Sequence, residues 1–388
     1  MNWTIRGGAV LRDGRLAPGE VGLSDGRIMA GAGGKGFDAR GLLVLPGIVD
    51  IHGDAHERCI QPRPGVDFPA AFALRDAASQ ILAAGITTAF LGVTLSWEPG
   101  LRSLSVFRDL LAALRDPPPG PELRVHLRFE ADNFEAEPSA LAAIEEGAVS
   151  LLGFNDHTPG ILRRLDDPKQ LGKYAGRAGV KEEEFRRLAL EAAARRPEVP
   201  AARARMAEAA RRVGIPMLSH DDAKPEDRRY FRSLGATICE FPMAEAVAEE
   251  ARQAREAVVM GAPNVVRGGS HLGWASAAPL AERGLVSVLA SDYHWPALTE
   301  APFRLAERGV LDLAASWALV SENPARALGL SDRGRIAEGL RGDLALLRTE
   351  GGVEAVFAVG ELAWVAPSAA WRLAGATHRT EEVAAALM

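Results

Sequence analysis

The chain of 388 residues is predicted to fold as a (β/α)8 barrel of the TIM type that carries a small β-sandwich built from both termini. Three observations predict this. Eight short apolar runs alternate with helical stretches between residues 46 and 332, each run ends in ligand-capable polar residues, and the two ends of the chain share a β-rich, glycine-punctuated pattern that the middle lacks.

Residues 1–45 supply the first part of the sandwich, with strands in WTIRGGAVL, GEVGLSDGRIMA and GLLVL set apart by glycine turns. Residues 46–332 supply the barrel, through LPGIVDIHGD, GITTAFLGVT, LRVHLRFEAD, AVSLLGFNDH, IPMLSHDD, ATICEFP, NVVRGGSH and LVSVLASDYH. Eight runs suit a closed barrel better than an open sheet, which usually has fewer strands. Residues 333–388 complete the sandwich through GRIAEGLRGDLALLR, VEAVFAVG and ELAWVA. The fourth connection holds two helices. Phe185, Leu188, Ala189 and Ala192 form an i, i+3, i+4, i+7 stripe on the first, expected to pack on the barrel.

Composition narrows the partners. The formal charge is -6, with 25% charged residues and no block of like sign, so there is no electrostatic footprint for nucleic acid or an anionic membrane. A small polar or anionic metabolite is the expected ligand, and a homodimer is compatible. Cys59 and Cys239 cannot build a disulfide framework. The opening MNWTIRGGAVLRDGR has charge where a signal peptide needs an apolar stretch, and no apolar run approaches the ~18 residues of a membrane span. A cytoplasmic enzyme is expected.

The chemistry collects at the ends of the runs. Seven of the eight histidines lie in them or within two residues of their ends, and a barrel gathers its strand C-termini on one face. His52 and Asp54, two apart, leave an extended segment on the same side, where an imidazole and a carboxylate can share one divalent cation. His126, Arg128 and Glu130 alternate with Val125, Leu127 and Phe129, so all three polar groups face the lumen. Burying three ionisable groups there is costly unless they pair or bind something, and Glu130 is the candidate bridging or terminal ligand. His220 and Asp292 close the fifth and eighth runs. Together these five suit one or two divalent ions, zinc by preference, with manganese or iron also compatible. Asp292 is expected to ligate, or to take the proton of a water whose pKa an adjacent ion lowers toward ~7. Asp156, His157, Asp221 and His56 stand as orienting groups or additional ligands. Arg63, held between two prolines, and Arg267 are candidate anion clamps. Gly268, Gly269 and Ser270 form a turn whose amides suit an anion, and His271 follows it.

LPGIVDIHGD, His220, Asp292 and GRIAEGLRGDLALL resemble the metal-dependent amidohydrolase superfamily, in which a metallo-barrel joins a β-sandwich made from both termini. Many of its members bridge two metals with a carboxylated lysine on the fourth strand. Here the fourth run ends Asn155, Asp156, His157 and no lysine lies at a strand end, so a carboxylate must serve. QPRPGVDFP, AGITT, LRFE, DHTPG, SHDDA, EFP, MGAPNVVRGGSH and SDY resemble, more narrowly, the diphosphatases of the carbon–phosphorus lyase pathway. That resemblance implies hydrolysis of α-D-ribose 1-methylphosphonate 5-triphosphate, or a related phosphorylated metabolite, to the 5-phosphate and pyrophosphate. The rival reading is hydrolysis of a C–N bond in a carboxylate-bearing substrate. The chain departs from the pattern at His56, Ile161, Trp274 and His294, positions that would line the substrate face rather than the metal shell.

Overall fold

The computed structural model describes residues 2–31, 33–269 and 275–373. Strands β1 (Trp3–Arg12), β2 (Arg15–Ser24), β3 (Arg27–Ile28), β4 (Lys35–Asp38) and β5 (Leu42–Pro46) come from the N-terminal end. Eight further strands follow: β6 (Ile48–Gly53), β7 (Ile86–Leu95), β8 (Glu122–Glu130), β9 (Leu151–Asn155), β10 (Met217–His220), β11 (Ile238–Glu240), β12 (Ala257–Gly261) and β13 (Val288–Ala290). The last three are β14 (Leu344–Arg348), β15 (Val353–Ala358) and β16 (Glu361–Val365).

β6 to β13 pair in parallel and in sequence order, with helices between them, and a bridge between Gly53 and Asp292 closes the ring. The second sheet runs β16-β15-β14-β5-β1-β2-β3, with β4 following β5 along the edge of β1 opposite β2, so the block of C-terminal strands joins the N-terminal block at the β14–β5 pair. Its core does the same: Phe357 from β15 meets Trp3 of β1 and Phe37 of β4 edge-on, at 5.4 and 5.8 Å between ring centroids. Burying such aromatic faces outweighs the entropy of holding sequence-distant strands together. The fold is the predicted barrel with its two-ended β domain, but its seventh strand is Ala257–Gly261, and NVVR, expected as that strand, instead forms the end of helix Ala262–Arg267.

Glu122, at the N-terminal foot of β8, ties the barrel to the segment leading into β14. It accepts from Arg333 at 2.6 Å and from Arg341, while Arg333 also reaches Thr88. Burial pushes the Glu122 carboxyl up, but Arg333, Arg341 and Arg124 more than offset it and hold it at about 2. A carboxyl depressed in the folded state adds stability above its unfolded value, and that stability is lost as pH falls toward 2. Glu122→Gln should therefore lower stability by about 1–2 kcal/mol at pH 7 and flatten the acid limb below pH ~4.5, read from urea midpoints against pH.

The fourth connection differs from its expected packing. Besides helix Val199–Val213 it holds Thr158–Leu162, Pro168–Ala178 and Glu182–Ala194. Phe185 and Ala189 join Ile161, Leu171 and Tyr174 in a cluster of their own, with Trp97 against it. Phe185 and Ala189 of the stripe are thus buried in a cap over the strand ends rather than on the barrel wall, with Leu188 only half-buried.

Candidate active site

The site is set where the barrel closes. Asp50 is fully buried under His52 and accepts from the Ser291 N–H at 3.0 Å, the Ser291 hydroxyl at 2.6 Å and the His52 N–H at 3.3 Å. Gly53 makes this closeness possible: a Cβ there would fall 2.7 Å from both Asp50 Oδ2 and Ser291 Oγ. Above it, the Asp292 N–H donates to the His52 carbonyl and the Asp54 N–H to the Asp292 carbonyl, each at 2.9 Å. The seam brings His52, Asp54 and Asp292 together, with one ligand atom of each within 4.8 Å of the others. Among the described residues, His52 Nε2 is buried without a partner.

Across the lumen, His157, His220 and Asp221 form a second group of the same compactness, and His52, His126 and Glu240 a third. Glu240 lies between the first two: its Oε1 meets His52 Nδ1 at 2.9 Å and its Oε2 meets His220 Nδ1 at 2.7 Å. Arg128 spans them from β8, with Nη1 3.3 Å from Asp54 Oδ2 and Nη2 3.3 Å from His220 Nε2. Asp221, Phe241 and Asp292 have φ of 58°, 51° and 56°. Left-handed backbone in non-glycine residues costs about 1–3 kcal/mol each and clusters at functional sites. Here it turns the chain sharply just after β10, β11 and β13.

Burial governs the charges. It pushes Asp292 up to about 7, with the Asp54 charge adding to the effect, and pushes Asp221 up to about 6. It lowers His220 to about 3 against the pull of Glu240, and His52 falls well below the usual imidazole value. Burial also raises Glu130, but His157 overrides it through its charge and hydrogen bonds, leaving Glu130 at about 2.

A cavity of about 560 Å³ opens on His157, His220 and Asp221 and is walled on the other side by the cap. Arg102, Arg177 and Arg203 also line it, but they are paired with Glu57, Glu98 and Asp156. Arg163 and Arg164, exposed at the end of helix Thr158–Leu162, line it without a carboxylate partner among the described residues.

The expected residues divide accordingly. His52, Asp54, His220 and Asp292 come together, with His157 and Asp221 beside them. Glu130 belongs to none of the three groups, because both its oxygens face His157, at 2.5 Å from the backbone N–H and 2.8 Å from Nδ1. Asp156 is engaged by Arg196 and Arg203, all at 2.8 Å. His56 is buried with Nδ1 3.3 Å from the Gly53 carbonyl. Arg63 is exposed in a turn closed by the Val66 N–H, and Pro64 lies 3.8 Å from where a Cβ on Gly176 of the cap would stand. Arg267 ends helix Ala262–Arg267 and bonds the Tyr293 hydroxyl at 3.2 Å, while Gly268 caps that helix in the left-handed region, followed by Gly269. Ile161 lines the cavity and His294 is exposed near the start of helix Pro296–Glu307. Ser270, His271 and Trp274 lie outside the described residues. The sequence reading passed over Glu240 as a site residue, although it ends its apolar run as the others do, and it passed over Arg163 and Arg164 because the cap had not been foreseen.

The donor set fits a divalent cation. It mixes imidazole nitrogen and carboxylate oxygen, it is compact, and it includes a fully buried imidazole nitrogen with nothing to bond. Cys59 and Cys239 are both unpaired, and no helix among the described residues is long and apolar enough to cross a membrane.

Known proteins agree with this architecture. The chain is 33% identical over 351 residues to alpha-D-ribose 1-methylphosphonate 5-triphosphate diphosphatase of Escherichia coli (strain K12), a span covering 86% of this chain and 92% of that protein. Among solved structures it is similar to molinate hydrolase, with TM-score 0.60, 16% identity and coverage of 93% of this chain and 94% of that one. It is also similar to a triazine hydrolase variant, with TM-score 0.63, 15% identity and coverage of 93% and 94%. N-acetylglucosamine-6-phosphate deacetylase from Pasteurella multocida gives TM-score 0.61 at 9% identity, covering 93% of this chain and 99% of that one. These structural likenesses concern the fold. The model described as "Amidohydrolase family" matches residues 140–361. The chain belongs to the amidohydrolase family and is a hydrolase of that metal-dependent superfamily.

Proposed function

We propose that this hydrolase cleaves the phosphoanhydride of α-D-ribose 1-methylphosphonate 5-triphosphate, or a closely related phosphorylated metabolite, to the 5-phosphate and pyrophosphate, in phosphonate catabolism in the cytoplasm. The observation that carries the reading is the cavity, which joins two arginines lacking carboxylate partners to the His and Asp groups at the strand ends. The identity to the Escherichia coli diphosphatase over most of both chains supports it.

His52, Asp54 and Asp292 would hold one divalent cation, zinc by preference, and His157, His220 and Asp221 a second. Such an ion, when bound, acidifies a coordinated water and polarises a phosphoryl oxygen. The rest falls to the chain. Asp292, held beside His52 and Asp54 where the barrel closes, would accept the proton of the attacking water. Arg128, held in the lumen by Asp54, supplies fixed positive charge for the oxygens of the phosphoryl group under attack. Glu130 fixes the His157 ring. Arg163 and Arg164 bind the distal phosphates at the cavity mouth; Arg63 and Arg267, the anion clamps expected from the sequence, lie outside the cavity lining. Water is limited by the cap, whose cluster packs Ile161 into the wall.

Incubating the metal-loaded protein with the triphosphate and following the products by 31P NMR tests this reading. Pyrophosphate and the 5-phosphate in equal amounts are expected. Inorganic phosphate alone, or ammonia released from C–N substrates with the triphosphate untouched, contradicts it. The double variant Arg163→Ala/Arg164→Ala should lower kcat/KM about 10-fold or more, with kcat falling as well as KM rising, because the lost contacts hold the pyrophosphate on which charge builds as the anhydride bond breaks.

A further inference from the structure

Glu240 is fully buried, yet no arginine or lysine pairs with it. Its ion-pairing partners are the two imidazoles His52 and His220, one on each oxygen at 2.9 and 2.7 Å. The two rings lie parallel, 6° apart in plane, at 5.9 Å between centroids, as a shared two-oxygen partner requires. A carboxylate oxygen can only accept, so both imidazoles present Nδ1–H to it. For His220 the contact to Arg128 points the same way. Its Nε2 faces Arg128 Nη2 at 3.3 Å, and a guanidinium can only donate, which places the lone pair on Nε2 and the proton on Nδ1, with the accepting Asp221 Oδ2 farther off at 3.5 Å. His52 Nε2, buried without any partner, is left as the complementary lone pair on the other ring.

We infer that Glu240 is a positioning residue that fixes His52 and His220 together, in the one tautomer that leaves a lone pair on each Nε2, one in each of the two candidate cation groups. Although it stands close enough to His52 and His126 to be grouped with them, both its oxygens are taken up by imidazole Nδ1 atoms, so it acts through the rings. The inference rests on the reading of His52 and His220 as ligands and adds to it a single group that sets both. Carboxylates behind ligating histidines typically account for 10–100-fold in metal affinity, and here one carboxylate stands behind two rings. Its position is set by β11, whose last residue it is, and by the left-handed turn at Phe241 that follows at once.

Glu240→Gln separates this from a packing role, because the amide keeps the shape but replaces one acceptor with an NH2 donor. One imidazole must then accept at Nδ1 and move its proton to Nε2, where it can no longer ligate. Titration of the full-length, metal-stripped chain with zinc(II) alone should show a 10–100-fold weaker affinity in the variant. Long-range 1H–15N spectra of the ring nitrogens in the cation-free proteins should show both rings as Nδ1–H in the wild type, and one ring switched to Nε2–H in the variant. Glu240→Asp, which keeps two accepting oxygens, should retain both Nδ1–H tautomers and recover part of the affinity, whether or not the Gln variant folds well. Unchanged zinc affinity in Glu240→Gln, or lost affinity with both tautomers unaltered, overturns the inference while the ligand reading stands. A wild-type chain that takes up no zinc overturns the ligand reading itself.

Discussion

Replacing Asp292 with Asn should leave the protein folded and lower its hydrolytic rate by about 10³-fold or more. Asparagine tolerates the left-handed region that residue 292 adopts, with φ of 56°, so the backbone clamp to His52 and Asp54 survives. The variant loses only the negative charge, and with it both a cation ligand and the proton acceptor. Stability separates this loss from misfolding. In the cation-free protein the Asp292 carboxyl sits at about 7, above its ordinary 3.8, because of burial and the nearby Asp54 charge. A carboxyl raised in the folded state favours folding at low pH, and that advantage is lost as pH rises from about 4 to about 7. The Asn variant has no such proton to lose. Without cation, the wild type should therefore become progressively less stable relative to Asp292→Asn across that window, with a constant difference above it. A variant that melts well below the wild type at pH 8 would instead mean that Asp292 is needed for the fold.

Removing the cation should abolish activity, and adding zinc back should raise the melting temperature more at pH 8 than at pH 5.5. Zinc at 1,000 times its dissociation constant stabilises the folded form by about 4 kcal/mol. At lower pH the cation must displace protons from Asp292 at about 7 and from Asp221 at about 6, which weakens binding. The buried imidazoles do not reverse this trend, since burial holds His52 well below the usual value and His220 at about 3. Paired thermal melts with and without zinc at the two pH values check it. An equal shift at both would show that the cation binds elsewhere or without these carboxylates.

His52, Asp54, His220 and Asp292 were legible in the sequence because a (β/α)8 barrel turns sequence position into place: each ends a strand run, and strand ends meet. The alternation in VHLRFE correctly put His126, Arg128 and Glu130 inside. It could not say which groups would pair, because partners are chosen across the lumen. Arg128 went to Asp54 and His220, and Glu130 to His157. The same limit hid the fate of Asp156, whose partners Arg196 and Arg203 arrive from 40 and 47 residues away in a connection read as plain barrel helices. Glu240 ended its run visibly enough. What marks it out, one carboxylate between two rings, exists only once β6, β10 and β11 are closed into one barrel.

The most direct test is anomalous diffraction at the zinc edge from crystals of the full chain grown with zinc. A peak about 2.0–2.2 Å from His52 Nε2 and from carboxylate oxygens of Asp54 and Asp292 is expected. A map with no peak between those three side chains, or with zinc held only by groups outside the barrel mouth, contradicts the account.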